Sequence, residues 1–126
     1  MNEIAAEWVF KAEEDFYSAD SLLHVVEIPM ASTASFHCQQ CAEKYLKAFL
    51  QENQVRFELK HELLPLVELC VQVDADFAKL RDDLEKLDGY AVAVRYPGTN
   101  PSIELAEAAL GAAKRVRQFV RLRLNL

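Results

Sequence analysis

Two cysteines stand as Cys38-x-x-Cys41 with His37 beside them, inside the stretch SFHCQQCAEKYLKAFL. Thiolates at that spacing serve either a metal knuckle or a redox dithiol. A redox pair opens a helix just after a strand, where the helix dipole lowers the first thiol's pKa. No strand pattern precedes this pair, and it lies about two turns into a helical one. A structural zinc site needs four ligands, commonly two such pairs. Here Cys70 is alone in sequence, and His24 and His61 have no ligand spacing. Turning each residue about 100° from the last gathers Gln40, Glu43, Lys44 and Lys47 into one polar arc. Ala34, Cys38, Cys41, Ala42, Tyr45, Leu46, Phe49 and Leu50 fill the opposite arc, with His37 at the boundary. Free cysteine behaves as a small buried hydrophobe, so both thiols are expected to face a core. No metal and no cofactor is expected. Ser35 and Gln39 fall within the apolar arc, as buried hydrogen-bond partners or interface residues.

Cationic chemistry is concentrated later in the chain. Residues 101–126 carry Lys114, Arg115, Arg117, Arg121 and Arg123 against Glu104 and Glu107, so a basic tail follows an acidic remainder. Lys114, Arg117 and Arg121 form a stripe flanking an apolar helix face. It reads as a solvated face with cations favoured near a helix end, or as a seat for a phosphate or an acidic partner. Arg95 projects beside Phe77 and Ala91, at the rim of an apolar stripe. An arginine there suits a buried ion pair or an anion site, with Asp88 as a partner; the plain alternative is a cation at a helix C-terminus.

The elements that must position these groups are all helical. Trp8, Ala12, Phe16, Ala19, Leu23 and Val26 recur at spacings of three or four, and Pro29 ends that helix. Ser32 is the expected cap of a second helix running to about Asn53. A short third helix follows from about Glu62, with Pro65 tolerated in its first turn. Asp74 should cap a fourth, whose stripe is Phe77, Leu80, Leu84, Leu87, Ala91 and Val94. Ser102 should cap a fifth, with Glu104 in its first turn and Leu105, Ala109, Ala113, Val116, Val120 and Leu124 on its apolar face. The expected fold is all-α, an antiparallel up-and-down bundle of about five helices in a single domain spanning 1–126.

Bulk properties agree. The chain has 126 residues, 52% of them hydrophobic and 27% charged, which suits one globular domain. A net charge of −6 opposes general nucleic-acid binding, which needs a basic surface. No apolar run is long enough to cross a membrane. The start MNEIAAEWVFKAEEDF is acidic and amphipathic, unlike a targeting segment. With an odd three cysteines, the expected location is cytoplasmic.

The frame around the cysteines is itself informative. FHCQQCAEKYLKAFL resembles the second helix of the HEPN family, with Phe-His, a small residue, Gln-Gln, a small residue, Ala-Glu-Lys and a Leu-Lys-Ala run. Cys38 and Cys41 take the small positions. Trp8, Ala12, Asp15, Phe16 and Ala19 are similar to the family's first-helix pattern, LKHELLPL to the element opening its third helix, and YAVAVRYPG to the Arg-Tyr-Pro element closing its fourth. The resemblance covers nearly the whole chain. It implies a helical bundle, usually a homodimer. Many bacterial members are encoded beside a minimal nucleotidyltransferase in a two-component, toxin–antitoxin-like system. Some relatives are metal-independent ribonucleases with an Arg, four to six residues and a His near the fourth helix.

Two functions follow from that resemblance. The first is a non-catalytic partner of a separate nucleotidyltransferase, binding nucleotide, RNA or the partner through Arg95, Tyr96, Lys114, Arg117 and Arg121. The second is a metal-independent endoribonuclease. Cleavage of that kind needs a proton-moving group at the 2′-hydroxyl and a cation for the phosphorane charge, roles that suit His61 and Arg95. Arg95 is followed by YPGTNPSIEL with no His, so the family's usual pair is missing. Arg56 and His61 match the bare spacing in RFELKH, but before the third helix, with Phe57 where ribonuclease members prefer a polar residue. Members modified by their nucleotidyltransferase carry Tyr two residues after the His, and Leu63 stands there. For His61 the plain alternative is a helix-start residue bonding free backbone groups.

Overall fold

The computed structural model describes residues 1–93, 97, 98 and 100–126, the side chains of 91–93 excepted. Val94, Arg95 and Tyr96, and the side chain of Ala91, therefore lie outside the described residues. Five α-helices follow one another: α1 Glu3–His24, α2 Ala31–Glu52, α3 Leu63–Val73, α4 Arg81–Ala93 and α5 Ile103–Arg123. A 3-10 helix, Ala75–Leu80, precedes α4. The expected all-α bundle is what forms.

Helices α1 and α2 make an antiparallel hairpin tied at both ends. Asn2 caps α1 by accepting from the Ala5 N–H at 2.8 Å, and its own backbone N–H donates to Glu52 at the far end of α2. At the other end the Met30 N–H donates to the Leu22 carbonyl. That bond explains why α2 starts at Ala31, with Met30 in the cap position, and not after Ser32 as expected. Ser32 sits in the first turn, and its hydroxyl faces Asn100 at 3.4 Å. Ala5, Ala12 and Ala19 are wholly buried at a seven-residue spacing, which keeps the α1 face small along its whole length.

Helix α2 is the axis of the molecule, with α1, α3, α4 and α5 all packed against it. Asp74 caps the 3-10 helix by accepting from the Asp76 N–H, so the expected fourth helix is delivered in two pieces. Phe77 from that 3-10 turn lies 4.3 Å from the Phe49 ring and 4.9 Å from Phe119, closing the core between α2 and α5. Ser102 caps α5 as expected, accepting from Leu105 at 3.1 Å. The core line of α5 then runs Ala106, Ala109, Ala113, Val116 and Val120 at three–four spacing. Leu105, expected on that face, is displaced from it and 50% exposed.

Candidate functional site

The α2–α3 joint brings polar chemistry and an open surface together. Helix α2 ends with Gln54 in the left-handed conformation at φ 57°, the Val55 N–H donating to the Leu50 carbonyl and the Gln54 N–H to Gln51. This 6→1 and 5→2 pair satisfies the last carbonyls and throws the chain back across the helix. Phe57 then meets Trp8 edge-on at 6.4 Å. The Lys47 ammonium lies under both rings, 5.2 Å from Trp8 and 5.9 Å from Phe57.

Lys47 and Glu43 belong to the polar arc of α2, yet only 3% and 2% of them is exposed. At Glu43 and Lys47 the polar arc of α2 is covered as well, so these charges must be paired inside. Lys47 Nζ donates to Glu43 Oε2 at 2.9 Å, one turn away on the same helix. The His61 ring approaches the same carboxylate, Nδ1 to Oε1 at 3.2 Å, while 65% of its side chain is exposed. Gln39, wholly buried, donates to the His61 carbonyl at 2.7 Å. With Nδ1 turned to Glu43, Nε2 is the ring atom left for other partners.

His61 does not bond the free backbone groups that open α3, as the plain reading had it. Asp88 does so from α4, accepting from Leu63 at 2.8 Å and from Leu64 at 3.3 Å. Burial raises the Asp88 pKa and outweighs those two backbone donors. The contact sets α4 against the His61 segment. Beside it opens a groove of about 650 Å³, lined by Arg56, Phe57, Lys60, Glu62, Leu66 and Leu69 among others. Lys60 pairs with Glu58, whereas Arg56 has no ion-pair partner among the described residues.

The basic tail is largely spent inside the molecule. Arg117 grips Glu13 of α1 with two bonds of 2.7 Å, and Arg121 reaches the same carboxylate at 3.1 Å and the Tyr45 hydroxyl at 3.2 Å. Burial works against ionisation of Glu13, but the bonds from Arg117 and Tyr45 and the two arginine charges prevail and lower its pKa. Arg115 binds Asp83, and Arg123 binds Asp74 and Asp76. The charge asymmetry of the sequence is thus met by the acidic helices themselves. Of the expected stripe, Lys114 alone is exposed without such a partner among the described residues.

The thiols face the core, as their projection puts them. Cys38, Cys41 and Cys70 are free and wholly buried. Burial pushes Cys38 and Cys70 up to about 12 and raises Cys41 as well, which makes them poor nucleophiles. His37 turns away from them to Asp15 of α1, Nδ1 to Oδ1 at 2.7 Å. Among the described residues no group of three His, Cys, Asp or Glu could hold a metal ion.

The HEPN domain pattern matches residues 5–123. The chain belongs to the HEPN domain family. Among solved structures, an archaeal HEPN homologue superposes with a TM-score of 0.76 at 23% identity, covering 98% of each chain. A protein of Thermus thermophilus superposes at 0.72 with 27% identity, over 96% of this chain and 98% of its own. No curated protein matches. Sequence reasoning missed the HEPN bundle's buried pair of Glu43 and Lys47; its only trace was their one-turn spacing in a helix that also carried Gln39 in its apolar arc.

Proposed function

We propose that the chain is a non-catalytic HEPN partner protein. It is a single cytoplasmic domain over 1–126, homodimeric, and acts with a separate minimal nucleotidyltransferase in a toxin–antitoxin-like system. It recognises a nucleotide, RNA or the partner, using Arg95, Tyr96 and Lys114; Arg117 and Arg121 hold Glu13 instead. The observation that carries the reading is the groove at the α2–α3 joint. Arg56 offers an unpaired cation to a phosphate and Lys60 a second one shared with Glu58, while Phe57, Leu66 and Leu69 offer an apolar wall to a base, in a volume that suits a nucleotide.

The test is a titration of the whole protein with ATP and with a labelled short RNA. Saturable binding is expected, and Arg56→Ala or Lys60→Ala should weaken it about tenfold or more, the worth of one charge-assisted hydrogen bond. No binding of either ligand, or binding indifferent to both substitutions, would sink the reading.

One observation favours the ribonuclease reading. Glu43 holds Nδ1 of His61, an exposed imidazole oriented as a general base would be. RNA incubated with the protein and a chelator decides between them. Cleavage abolished by His61→Ala and by Arg95→Ala establishes the enzyme, and intact RNA supports the binding protein.

A further inference from the structure

Helix α1 packs on α2 and α5, and the face it turns away from both is complementary to itself. Phe10 and Tyr17 are 65% and 58% exposed on it, although such rings are normally a large share of what a contact buries. Seven residues apart, they stand about 10 Å from each other on the margin toward α5, where the Arg117 guanidinium approaches the Tyr17 ring. Ile4, 56% exposed, and Leu22, half-buried, follow the margin toward α2 near the two ends of the helix. Lys11 and Glu14 are exposed between these margins, and neither has an ion-pair partner among the described residues.

We infer that a second copy of the chain covers this face, its α1 lying antiparallel to the first about a two-fold axis near residue 13. Such an axis pairs positions nearly equidistant from residue 13 and keeps each margin on its own side. Phe10 then meets the partner's Tyr17, Ile4 meets the partner's Leu22, and Lys11 meets the partner's Glu14. Each contact is made twice. The interface rests on the homodimeric state already proposed and adds to it the surface by which the copies meet.

Charge settles the direction. Parallel helices would set Glu7, Lys11 and Glu14 each against its own copy, three like-charge contacts in a row. The antiparallel pair gathers two lysines and two glutamates into one neutral cluster at the axis. It also moves the two Glu7 side chains about 18 Å apart along the helices. A single pair of helices is a small interface, so the dimer should dissociate on dilution and its constant is measurable.

Sedimentation equilibrium of the full chain over a concentration series tests this. The wild type should pass from monomer to dimer. Lys11→Glu and Glu14→Lys should each raise the dimer Kd about tenfold, because each sets like charges together at both symmetry-related contacts. Mixed in equal amounts, these two variants should associate with about the wild-type Kd, and so should the double variant Lys11→Glu/Glu14→Lys with itself. Phe10→Ser should raise Kd about tenfold or more and keep the thermal midpoint, since its ring is outside the core. A dimer that none of these substitutions weakens would overturn this interface and leave the homodimer standing. Weakening that neither the mixture nor the double variant recovers would overturn it as well. A wild type that stays monomeric throughout would sink the interface together with the homodimer on which it rests.

Discussion

The same three groups, an imidazole, a carboxylate and an ammonium, occur twice along α2, and the two sets are built differently. In the first, Glu43 and Lys47 are both on α2 and both buried, and His61 caps them from a loop with most of its ring exposed. In the second, the carboxylate is Asp15 on the neighbouring helix, and α2 supplies both His37 and Lys44. The imidazole there is only 28% exposed. The first set neutralises charge on a buried part of α2. The second holds two helices together and keeps an imidazole edge at the surface. Burial of the ion pair decides what each can tolerate: a buried charge that loses its partner has no water to turn to, whereas a charge at a helix–helix margin does.

The largest expected effect comes from opening the first set. Lys47→Ala leaves the Glu43 carboxylate buried with only the exposed His61 ring beside it, and should cost about 3–5 kcal/mol. That approaches the whole stability of a domain this size, about 5–15 kcal/mol. The double variant Glu43→Leu/Lys47→Met removes both charges at similar volume and should recover most of the loss. His61→Ala should cost under about 1 kcal/mol, because its interaction is made at the surface. Denaturant unfolding of the three variants checks this. A Lys47→Ala loss no larger than that of His61→Ala would erase the distinction between the two sets.

Asp15→Asn should have the intermediate effect. The amide keeps the shape but loses the charge that holds both His37 and Lys44, at an expected cost of about 1.5–3 kcal/mol. Because Asp15 joins α1 to α2, the loss should appear locally too, as faster amide hydrogen exchange along α1 than along α5. A uniform loss of protection would mean that Asp15 serves the core and not the hairpin.

How much of this was legible in the sequence follows from what each pattern encodes. The helices were readable because apolar spacing reports one buried face, and the thiols were placed correctly for the same reason. That logic failed for Glu43 and Lys47. Periodicity assumes a solvated opposite face, and at Glu43 and Lys47 α2 has none. Helix starts were readable where a side chain caps, as at Ser102, and misread at Ser32, where a backbone bond from Met30 to Leu22 fixes the start. The basic stripe could be seen, but not Glu13 opposite it, because α1 and α5 meet only in the fold. His61 was picked by residue type; its carboxylate partner, eighteen residues earlier, carried no local signal.

A third imidazole gives the smallest effect and extends the comparison to the surface. His24, in the last turn of α1, meets Asp20 through Nδ1 at 2.9 Å and Glu107 of α5 through Nε2 at 2.5 Å. Two carboxylates on two ring nitrogens call for two N–H donors, so the protonated ring is the one that fits. The bond to Asp20, followed by that to Glu107, raises the His24 pKa above its ordinary value. A raised folded-state pKa means that the folded protein holds the proton more tightly than the unfolded chain. The stabilisation is therefore complete below the unfolded value, about 6.5, and fades as pH climbs through the folded one. The ring carbon shifts of His24 should accordingly titrate with a midpoint above that of an unfolded histidine, and Glu107→Gln should lower the midpoint. His24→Gln should narrow its stability deficit against the wild type between about pH 5.5 and pH 8.5, and added salt should shrink it further, since this pair is exposed. A deficit that is constant with pH would show that the contact between α1 and α5 does not depend on the imidazolium charge.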